Sequence, residues 1–184
     1  MALEALIFDV DGTLANTEHD GHLRAFNETF RLFELDWRWD SELYSELLSV
    51  GGGKERLAHY INHYNPELKS DLSVNDIADM HNKKTEIFVD HVANGDIPLR
   101  IGVDRLIEEA IENGLRLGIA TTTTLENVEA LVTSTLGDSA LDKFEVIGAG
   151  DVVKDKKPAA DIYQYALDRM RLSCHECIAF EDSG

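Results

Sequence analysis

The chain has 184 residues, 43% of them apolar, which suits one domain or one domain with an inserted lobe. It carries 35 acidic and 17 basic residues, a formal net charge of −18, so most of its surface would repel a nucleic acid or an anionic membrane. We therefore expect neither as a partner. A phosphorylated small molecule fits this charge where a few cations and a metal ion offset the acidic field locally.

The sequence contains no run that approaches the roughly 20 apolar residues needed to span a membrane. Its N-terminus lacks the basic and apolar regions of a signal peptide. We expect a cytoplasmic protein, or one of the plastid stroma if a transit peptide was removed before Met1. Cys174 and Cys177 form a C-x-x-C pair without a second ligand pair, so we interpret them as structural thiols.

The chain opens with a short apolar run, Ala5 to Phe8, which predicts a strand buried on both faces. Asp9 and Asp11 follow at i and i+2, just before a glycine. In an extended chain this spacing places both carboxylates on one side, past the carboxyl end of the strand, where open α/β sheets bind ligands. Taken alone, the pattern is more typical of a strand that ends in an Asp/Gly turn.

Residues 15 to about 95 are predicted to be almost entirely helical, which indicates a lobe inserted after the first strand. The predicted helices run from Thr17 to Phe33, from Asp40 or Ser41 to Leu48, from Glu55 to Tyr64 and from Val74 to about Val92. Thr17 or Asn16 is the candidate N-cap of the first helix. The stretch from Asp71 to Asn75 is polar and loop-like. Three glycines, Gly51 to Gly53, predict a tight loop into which the next helix directs its backbone donors.

Beyond Pro98 the pattern changes to strands that alternate with helices. The predicted helices are Val103 to Asn113, Leu125 to Leu136 and Ala160 to Met170, and the strands are Leu115 to Ala120, Phe144 to Ile147 and Cys177 to Phe180. This alternation predicts an α/β fold with a parallel sheet and right-handed crossovers. Because the chain stops shortly after an apolar strand that would form an open edge, we expect the C-terminal part of the core to be missing from it.

Polar side chains follow all four predicted strands and should meet at one edge of the sheet. They are Asp9 with Asp11, Thr121, Lys157, and Glu181 with Asp182. In this order they resemble the four motifs of the haloacid dehalogenase superfamily of phosphotransfer enzymes. The matching stretches are DVDGT at Asp9 to Thr13, IAT at Ile119 to Thr121, KKP at Lys156 to Pro158 and EDS at Glu181 to Ser183.

The resemblance implies a Rossmann-like core, residues 1–14 and 97–184, and an α-helical cap domain, residues 15–96. It also implies Mg²⁺ as the cofactor, held by Asp9, by the backbone carbonyl of Asp11 and by Asp182, with Glu181 acting through water. An all-oxygen site of this kind suits a hard divalent cation, which would also relieve the repulsion between the carboxylates.

A phosphoryl transfer needs a nucleophile, neutralisation of charge and a proton for the leaving oxygen. Asp9 is the candidate nucleophile that forms an aspartyl phosphate, and Asp11 can give a proton to the leaving alkoxide and take one from water. The resemblance assigns Thr121 a hydrogen bond to the phosphoryl oxygens and Lys157 the neutralisation of their charge. Lys156 and Lys154 compete for the role of Lys157, which we prefer because it directly precedes proline.

The runs TEHDGH, FNETF and GGGKER resemble the CbbY group, whose members dephosphorylate xylulose 1,5-bisphosphate. Lys54 and Arg56, beside backbone donors at a helix start, are candidates for binding a second phosphate. Glu18 and His22 could reach sugar hydroxyls or assist the proton step, although simple packing explains His22 equally well. The pair His59 and His63 lies at i and i+4, and we interpret it as an exposed helix face because no third metal ligand is evident.

The sequence therefore predicts a monomeric Mg²⁺-dependent phosphatase that acts on a sugar phosphate, with xylulose 1,5-bisphosphate as the preferred substrate. One alternative is a phosphomutase of the β-phosphoglucomutase type, which has the same core and the same two aspartates. The other is a non-catalytic binding module on the same fold.

Overall fold

The computed structural model describes residues 2–65 and 72–182. Within them, a parallel sheet has the strand order β3-β2-β1-β4. Its strands are β1 Ala5–Phe8, β2 Arg116–Ala120, β3 Phe144–Gly148 and β4 Cys177–Phe180. The four predicted strands and their parallel pairing are confirmed, with shifts of one residue at the start of β2 and at the end of β3.

Most predicted helices are present with bounds that differ by a residue or two. They are α1 Arg24–Leu32, α2 Ser41–Leu47, α3 Gly53–Tyr64, α4 Val74–Ala93, α5 Val103–Glu112, α6 Leu125–Leu136 and α7 Asp161–Met170. Asp40 caps α2 by accepting a hydrogen bond from the Leu43 amide at 2.9 Å. Asp71, at the start of the predicted loop, and Ser183 of the fourth motif lie outside the described residues.

The helix predicted from Thr17 to Phe33 is wrong in its first part. Glu18–Leu23 forms a π-helical segment, and the regular α-helix begins only at Arg24. Thr17 lies at the cap position, yet its side chain makes no capping bond because its hydroxyl donates to the Asp11 carboxylate. This wider turn lies directly beside the candidate active site, where π-helical turns are frequently found.

The two faces of the sheet are covered by different helices. Along β1, Ala5 and Ile7 pack toward α7, whereas Leu6 and Phe8 belong to the cluster that includes apolar residues of α5 and α6. This is the alternation expected of successive side chains in a strand. All four residues are at most 3% exposed, which confirms a strand buried on both faces.

The helical segment between β1 and α5 leaves and rejoins the core at one point. Ala15 bridges to Leu99, and the Arg100 amide donates to the Leu14 carbonyl at 2.8 Å. A separate aromatic cluster fills this segment and includes Phe26, Phe30, Trp39, Tyr44 and Tyr60. The segment also packs on the core, because Phe88 and Val92 of α4 share the main apolar cluster with β1 and α6.

β4 lies at an edge of the sheet in the described part of the chain, and Ile178 on it is 46% exposed. The described residues include no helix that combines the length and apolarity needed to cross a membrane. The cysteines are free thiols: Cys174 is exposed and Cys177 is the first residue of β4.

Candidate active site

The predicted site residues that follow β1, β3 and β4 meet at the carboxyl ends of these parallel strands. They line a cavity of about 310 Å³ between the sheet and the helical segment. Its polar lining includes Asp9, Asp11, Glu18, Arg56, Lys157, Glu181 and Asp182. Thr121, which follows β2, does not line this cavity, since it is only 1% exposed and its neighbour Thr122 lines the cavity instead.

Asp9 and Lys157 form a largely buried ion pair. Lys157 Nζ donates to Asp9 Oδ1 at 2.8 Å and also to the Glu181 carboxylate. Burial raises the pKa of Asp9 to about 7, although the charge of Lys157 opposes this rise. Burial alone would lower the pKa of Lys157, but Asp9 and Glu181 outweigh it and hold that pKa well above the usual range. Lys157 therefore keeps its positive charge beside the candidate nucleophile.

Three carboxylates form a compact acidic cluster at the same edge. One oxygen each from Asp9, Glu181 and Asp182 lies within 4.8 Å of the others. Burial and the charge of Glu181 raise the pKa of Asp182. Such a set of hard oxygen donors fits Mg²⁺, which prefers carboxylates and retains water ligands. The residues present therefore match the cation that the sequence motifs imply.

Gly12 permits this cluster to form. A Cβ atom at this position would lie 2.1 Å from Asp182 Oδ2, so any side chain would collide with the carboxylate. The glycine also has a φ of +80°, in the left-handed region that other residues rarely adopt. Glycine in the first motif thus meets a steric requirement set by the fourth motif.

Asp11 lines the same cavity, but its carboxylate is bonded to the helical segment and not to the acidic cluster. Its Oδ1 atom accepts hydrogen bonds from the Thr17 hydroxyl and from His22 Nε2, the latter at 2.9 Å. Burial would raise the pKa of Asp11, but His22 and Thr17 outweigh it, so this pKa is lowered. His22 is 4% exposed and stacks on Phe88 with ring centroids 4.1 Å apart.

Lys84 on α4 is a neighbour of the site that the sequence interpretation missed. Its Nζ atom lies 2.7 Å from His22 Nδ1, and because an ammonium group has no acceptor, Lys84 must donate to that nitrogen. His22 Nε2 then carries the proton and donates to Asp11. Lys84 is 4% exposed, and burial lowers its pKa to about 8 while the Asp11 and Glu18 charges oppose this.

A signal for Lys84 is visible in the sequence. Met80, Lys84 and Phe88 are spaced by four residues and share the buried face of α4. A lysine in the middle of an apolar stripe indicates a buried charge that has a partner elsewhere in the fold. The partner itself could not be read from the sequence, because His22 is 62 residues away.

Lys84→Met is expected to lower kcat about tenfold, less than the roughly 10²- to 10⁴-fold that general acid–base catalysis supplies.

The same variant tests the pH dependence of stability. The pKa of Lys84 in the folded protein, about 8, lies below the ordinary lysine value of 10.5, so the unfolded chain binds more protons between these pH values. The wild type should therefore gain stability relative to Lys84→Met as the pH rises from 8 to 10.5. Urea unfolding of both proteins across this range measures the difference, and a constant difference would contradict it.

Glu18 and Arg56 are held together by Tyr44. The Tyr44 hydroxyl donates to Glu18 Oε2 at 2.5 Å and accepts from Arg56 Nη1 at 2.9 Å. Arg56 also donates from Nε to the Leu47 carbonyl at 3.1 Å and is only 8% exposed. Both predicted residues reach the cavity, but much of the hydrogen-bonding capacity of Arg56 serves the helical segment itself.

Lys54 lines a neighbouring cleft of about 480 Å³ and not the cavity of Asp9. Its side chain is 43% exposed and pairs with Asp151 Oδ2 of the core at 3.0 Å. Lys156 pairs with the other oxygen of the same carboxylate, Asp151 Oδ1, at 2.8 Å. The two openings adjoin, since Thr122 lines both. Lys156 points into this cleft, which leaves Lys157 as the lysine that reaches Asp9.

The glycines at the start of α3 lie close to both the core and α4. A Cβ atom at Gly51 would lie 2.8 Å from the Lys157 carbonyl oxygen, and one at Gly53 would lie 2.6 Å from His81 Nε2. These glycines therefore allow close approach as well as a turn. Elsewhere on α3, His59 and His63 stack with centroids 4.0 Å apart, and the described residues offer no third metal ligand beside them.

Comparison with known proteins agrees with this geometry. The profile of the haloacid dehalogenase-like hydrolase family matches residues 3–184. Protein CbbY of Cereibacter sphaeroides is 50% identical over 181 residues, which span 98% of this chain and 76% of that protein.

Solved structures give the same result. The crystal structure of CbbY from Rhodobacter sphaeroides in complex with phosphate has a TM-score of 0.90 at 50% identity, covering 98% of this chain and 78% of that one. A mutant of that protein in complex with xylulose-(1,5)bisphosphate has a TM-score of 0.91 at the same identity and coverage. The predicted fold is thus confirmed, and the alternative of a non-catalytic binding module is wrong. The chain belongs to the haloacid dehalogenase-like hydrolase family, in which it is a phosphatase of the CbbY type.

Proposed function

We propose that this phosphatase removes a phosphoryl group from a sugar bisphosphate, with xylulose 1,5-bisphosphate as the substrate, through an aspartyl phosphate on Asp9. The observation that carries the proposal is the buried Asp9–Lys157 pair, in which Asp9 also belongs to the acidic cluster with Glu181 and Asp182. Support for the substrate comes from CbbY, half of whose aligned residues are identical and whose mutant was solved with xylulose-(1,5)bisphosphate.

In the first step, a carboxylate oxygen of Asp9 attacks the phosphorus and the bond to the sugar oxygen breaks. Lys157 stabilises the negative charge on the phosphoryl oxygens, because its ammonium group already lies 2.8 Å from Asp9. Mg²⁺ bound by Asp9, Asp182, Glu181 and the Asp11 carbonyl would neutralise the carboxylates and the phosphate. The positive charge of Lys157 favours the ionised, nucleophilic form of Asp9.

Asp11 acts as the general acid of the first step and the general base of the second. Its lowered pKa keeps Asp11 ionised in the free protein, so its carboxylate is available to accept a proton from the water that hydrolyses the aspartyl phosphate. The first step requires Asp11 in its protonated form, which donates to the leaving oxygen, and the negative charge of a phosphorylated substrate bound nearby raises the Asp11 pKa toward that form. The hydrogen bonds from Thr17 and His22 orient the carboxylate for this exchange.

Residues 15–96 act as a cap that excludes water from this chemistry and selects the substrate. Glu18 and Arg56 line the cavity of Asp9, and Lys54 lines the adjoining cleft. A bisphosphate that places one phosphate on Asp9 can extend its other phosphate toward Lys54. Because the chain is strongly acidic, such a local cation is needed to bind a second phosphate.

The test is release of inorganic phosphate from a panel of sugar mono- and bisphosphates, with Mg²⁺ and with a chelator. We expect xylulose 1,5-bisphosphate to have the highest kcat/KM and the chelator to abolish turnover. Isomerisation of a sugar monophosphate with little phosphate release would instead favour the phosphomutase alternative. Turnover that persists in the chelator would contradict the role of Mg²⁺.

A further inference from the structure

We propose that Tyr163 is a positioning residue of this active site, which holds Glu181 and Lys157 in the arrangement in which both face Asp9. Tyr163 lies in the first turn of α7, outside the four sequence motifs. The inference rests on the proposed function, because it gives Glu181 a role at the divalent cation.

The first observation is that Tyr163 and Lys157 donate hydrogen bonds to the same oxygen atom of Glu181. The Tyr163 hydroxyl donates to Glu181 Oε2, and the same atom accepts from Lys157 Nζ. Lys157 in turn donates to Asp9 Oδ1. Tyr163 therefore stands at the outer end of a continuous chain of hydrogen bonds that reaches the nucleophile.

The second observation is a contact between the Tyr163 ring and the ammonium group of Lys157. Lys157 Nζ lies 5.0 Å from the ring centroid, within the range of a cation–π interaction. The Lys157 side chain is 15% exposed, so this contact is partly shielded from water. One residue thus contacts both the carboxylate and the ammonium group, through different parts of its side chain.

The acidic cluster explains why such support is needed. Oxygens of Asp9, Glu181 and Asp182 lie within 4.8 Å of one another, so their charges repel. A neutral hydroxyl donor orients the Glu181 carboxylate without adding a positive charge that would compete with a cation.

The anchor itself is rigid. Ile162, Ala166, Leu167 and Met170 of α7 are all buried and pack against the sheet beside Ala5 and Ile7. The first turn of α7 is therefore fixed relative to β1, which carries Asp9. Through its hydroxyl, Tyr163 transmits this fixed position to the residue after the edge strand.

The same helix offers a matched control. Tyr165 lies two residues further along α7, is also half-buried, and contacts Arg169 with the guanidinium carbon 5.2 Å from its ring centroid. Within the described part of the chain it makes no hydrogen bond to Asp9, Lys157 or Glu181, and it packs beside Gly148 of β3. Tyr165→Phe therefore removes an equivalent hydroxyl from the same helix while leaving Glu181 and Lys157 untouched.

The first experiment measures Mg²⁺ binding by calorimetry in the absence of substrate, for the wild type, Tyr163→Phe and Tyr165→Phe. Loss of a partner that orients a metal ligand typically weakens metal binding by about tenfold or more. We expect about a tenfold weaker affinity in Tyr163→Phe, with an unchanged melting temperature and unchanged KM at saturating Mg²⁺. Tyr165→Phe should bind Mg²⁺ as the wild type does.

The second experiment asks whether Tyr163 acts through Glu181. Glu181→Gln should itself weaken Mg²⁺ binding, and adding Tyr163→Phe to it should change the affinity less than about twofold. A merely structural tyrosine would give the same factor in both backgrounds.

Four results would overturn the inference: wild-type Mg²⁺ affinity in Tyr163→Phe, equal losses in the two tyrosine variants, wild-type affinity in Glu181→Gln, or an equal effect of Tyr163→Phe in the wild-type and Glu181→Gln backgrounds. Failure of the proposed function is distinguishable from these results, because measurements on the wild type are enough to detect it. A wild-type protein that neither binds Mg²⁺ nor needs it for phosphate release would overturn both.

Discussion

Asp9→Asn is expected to lower the rate of phosphate release by a factor of about 10³ or more, the scale seen when a catalytic nucleophile is removed. The amide is nearly isosteric with the carboxylate but is too weak a nucleophile to accept a phosphoryl group. In the wild type, acid quenching of a reaction with radiolabelled substrate should leave label on the protein. The label should be absent from Asp9→Asn, which a gel of the quenched reaction measures.

Folding should survive this substitution. Asp9 is 6% exposed, and the rise of its pKa to about 7 shows that burial disfavours its charged form. An uncharged asparagine relieves that cost, which offsets the loss of the hydrogen bond from Lys157. We expect a melting temperature in chelator at or above that of the wild type at pH 8. Substantial phosphatase activity in a folded Asp9→Asn variant would refute the assignment of the nucleophile.

Lys54→Ala is expected to raise KM for a sugar bisphosphate by about tenfold or more and to leave KM for the matching monophosphate nearly unchanged. Hydrogen bonds to charged groups contribute about 1.5–3 kcal/mol, and only the bisphosphate has a second phosphate to lose one. Steady-state kinetics on both substrates measures the two effects. Equal changes for both substrates would argue against a second phosphate site at Lys54.

Lys83→Ala is the matched control for this experiment. The Lys83 side chain on α4 is 43% exposed, as is that of Lys54, and each pairs with one carboxylate at about the same distance, Glu86 at 2.8 Å and Asp151 at 3.0 Å. Exposed ion pairs of this kind contribute little to stability, so neither variant should unfold. Lys83→Ala should therefore leave the kinetics of both substrates unchanged.

The residues at the strand ends could be predicted from the sequence because the geometry that unites them is general. Parallel strands end at the same edge of a sheet, so Asp9, Lys157 and Asp182 had to approach one another once their strands were recognised. The choice of Lys157 over Lys156 also followed from the motif, and the hydrogen bond to Asp9 agrees with it.

The surroundings of these residues could not be predicted, because they depend on partners that are distant in the sequence. Lys84 was missed since its contact with His22 joins α4 to the π-helical turn. Tyr163 was missed since nothing in its local pattern indicates that it reaches Glu181. Arg56 lines the cavity, but its hydrogen bond to Tyr44 joins α3 to α2 and could not be predicted from either helix alone.

The sequence by itself determined the order of strands and helices along the chain, the two aspartates that follow β1 and the oxygen-rich character of the strand ends, because local periodicity and strand-end chemistry are encoded over a few residues. Only the tertiary structure decided how the charges are arranged. In the folded chain Asp11 bonds His22, which Lys84 contacts in turn, while Asp9 pairs with Lys157. These contacts join residues that are far apart in the sequence, because they arise where the helices pack against the sheet and each other. Burial raises the pKa of Asp9, whereas the contacts of Asp11 with His22 and Thr17 outweigh its burial and lower its pKa.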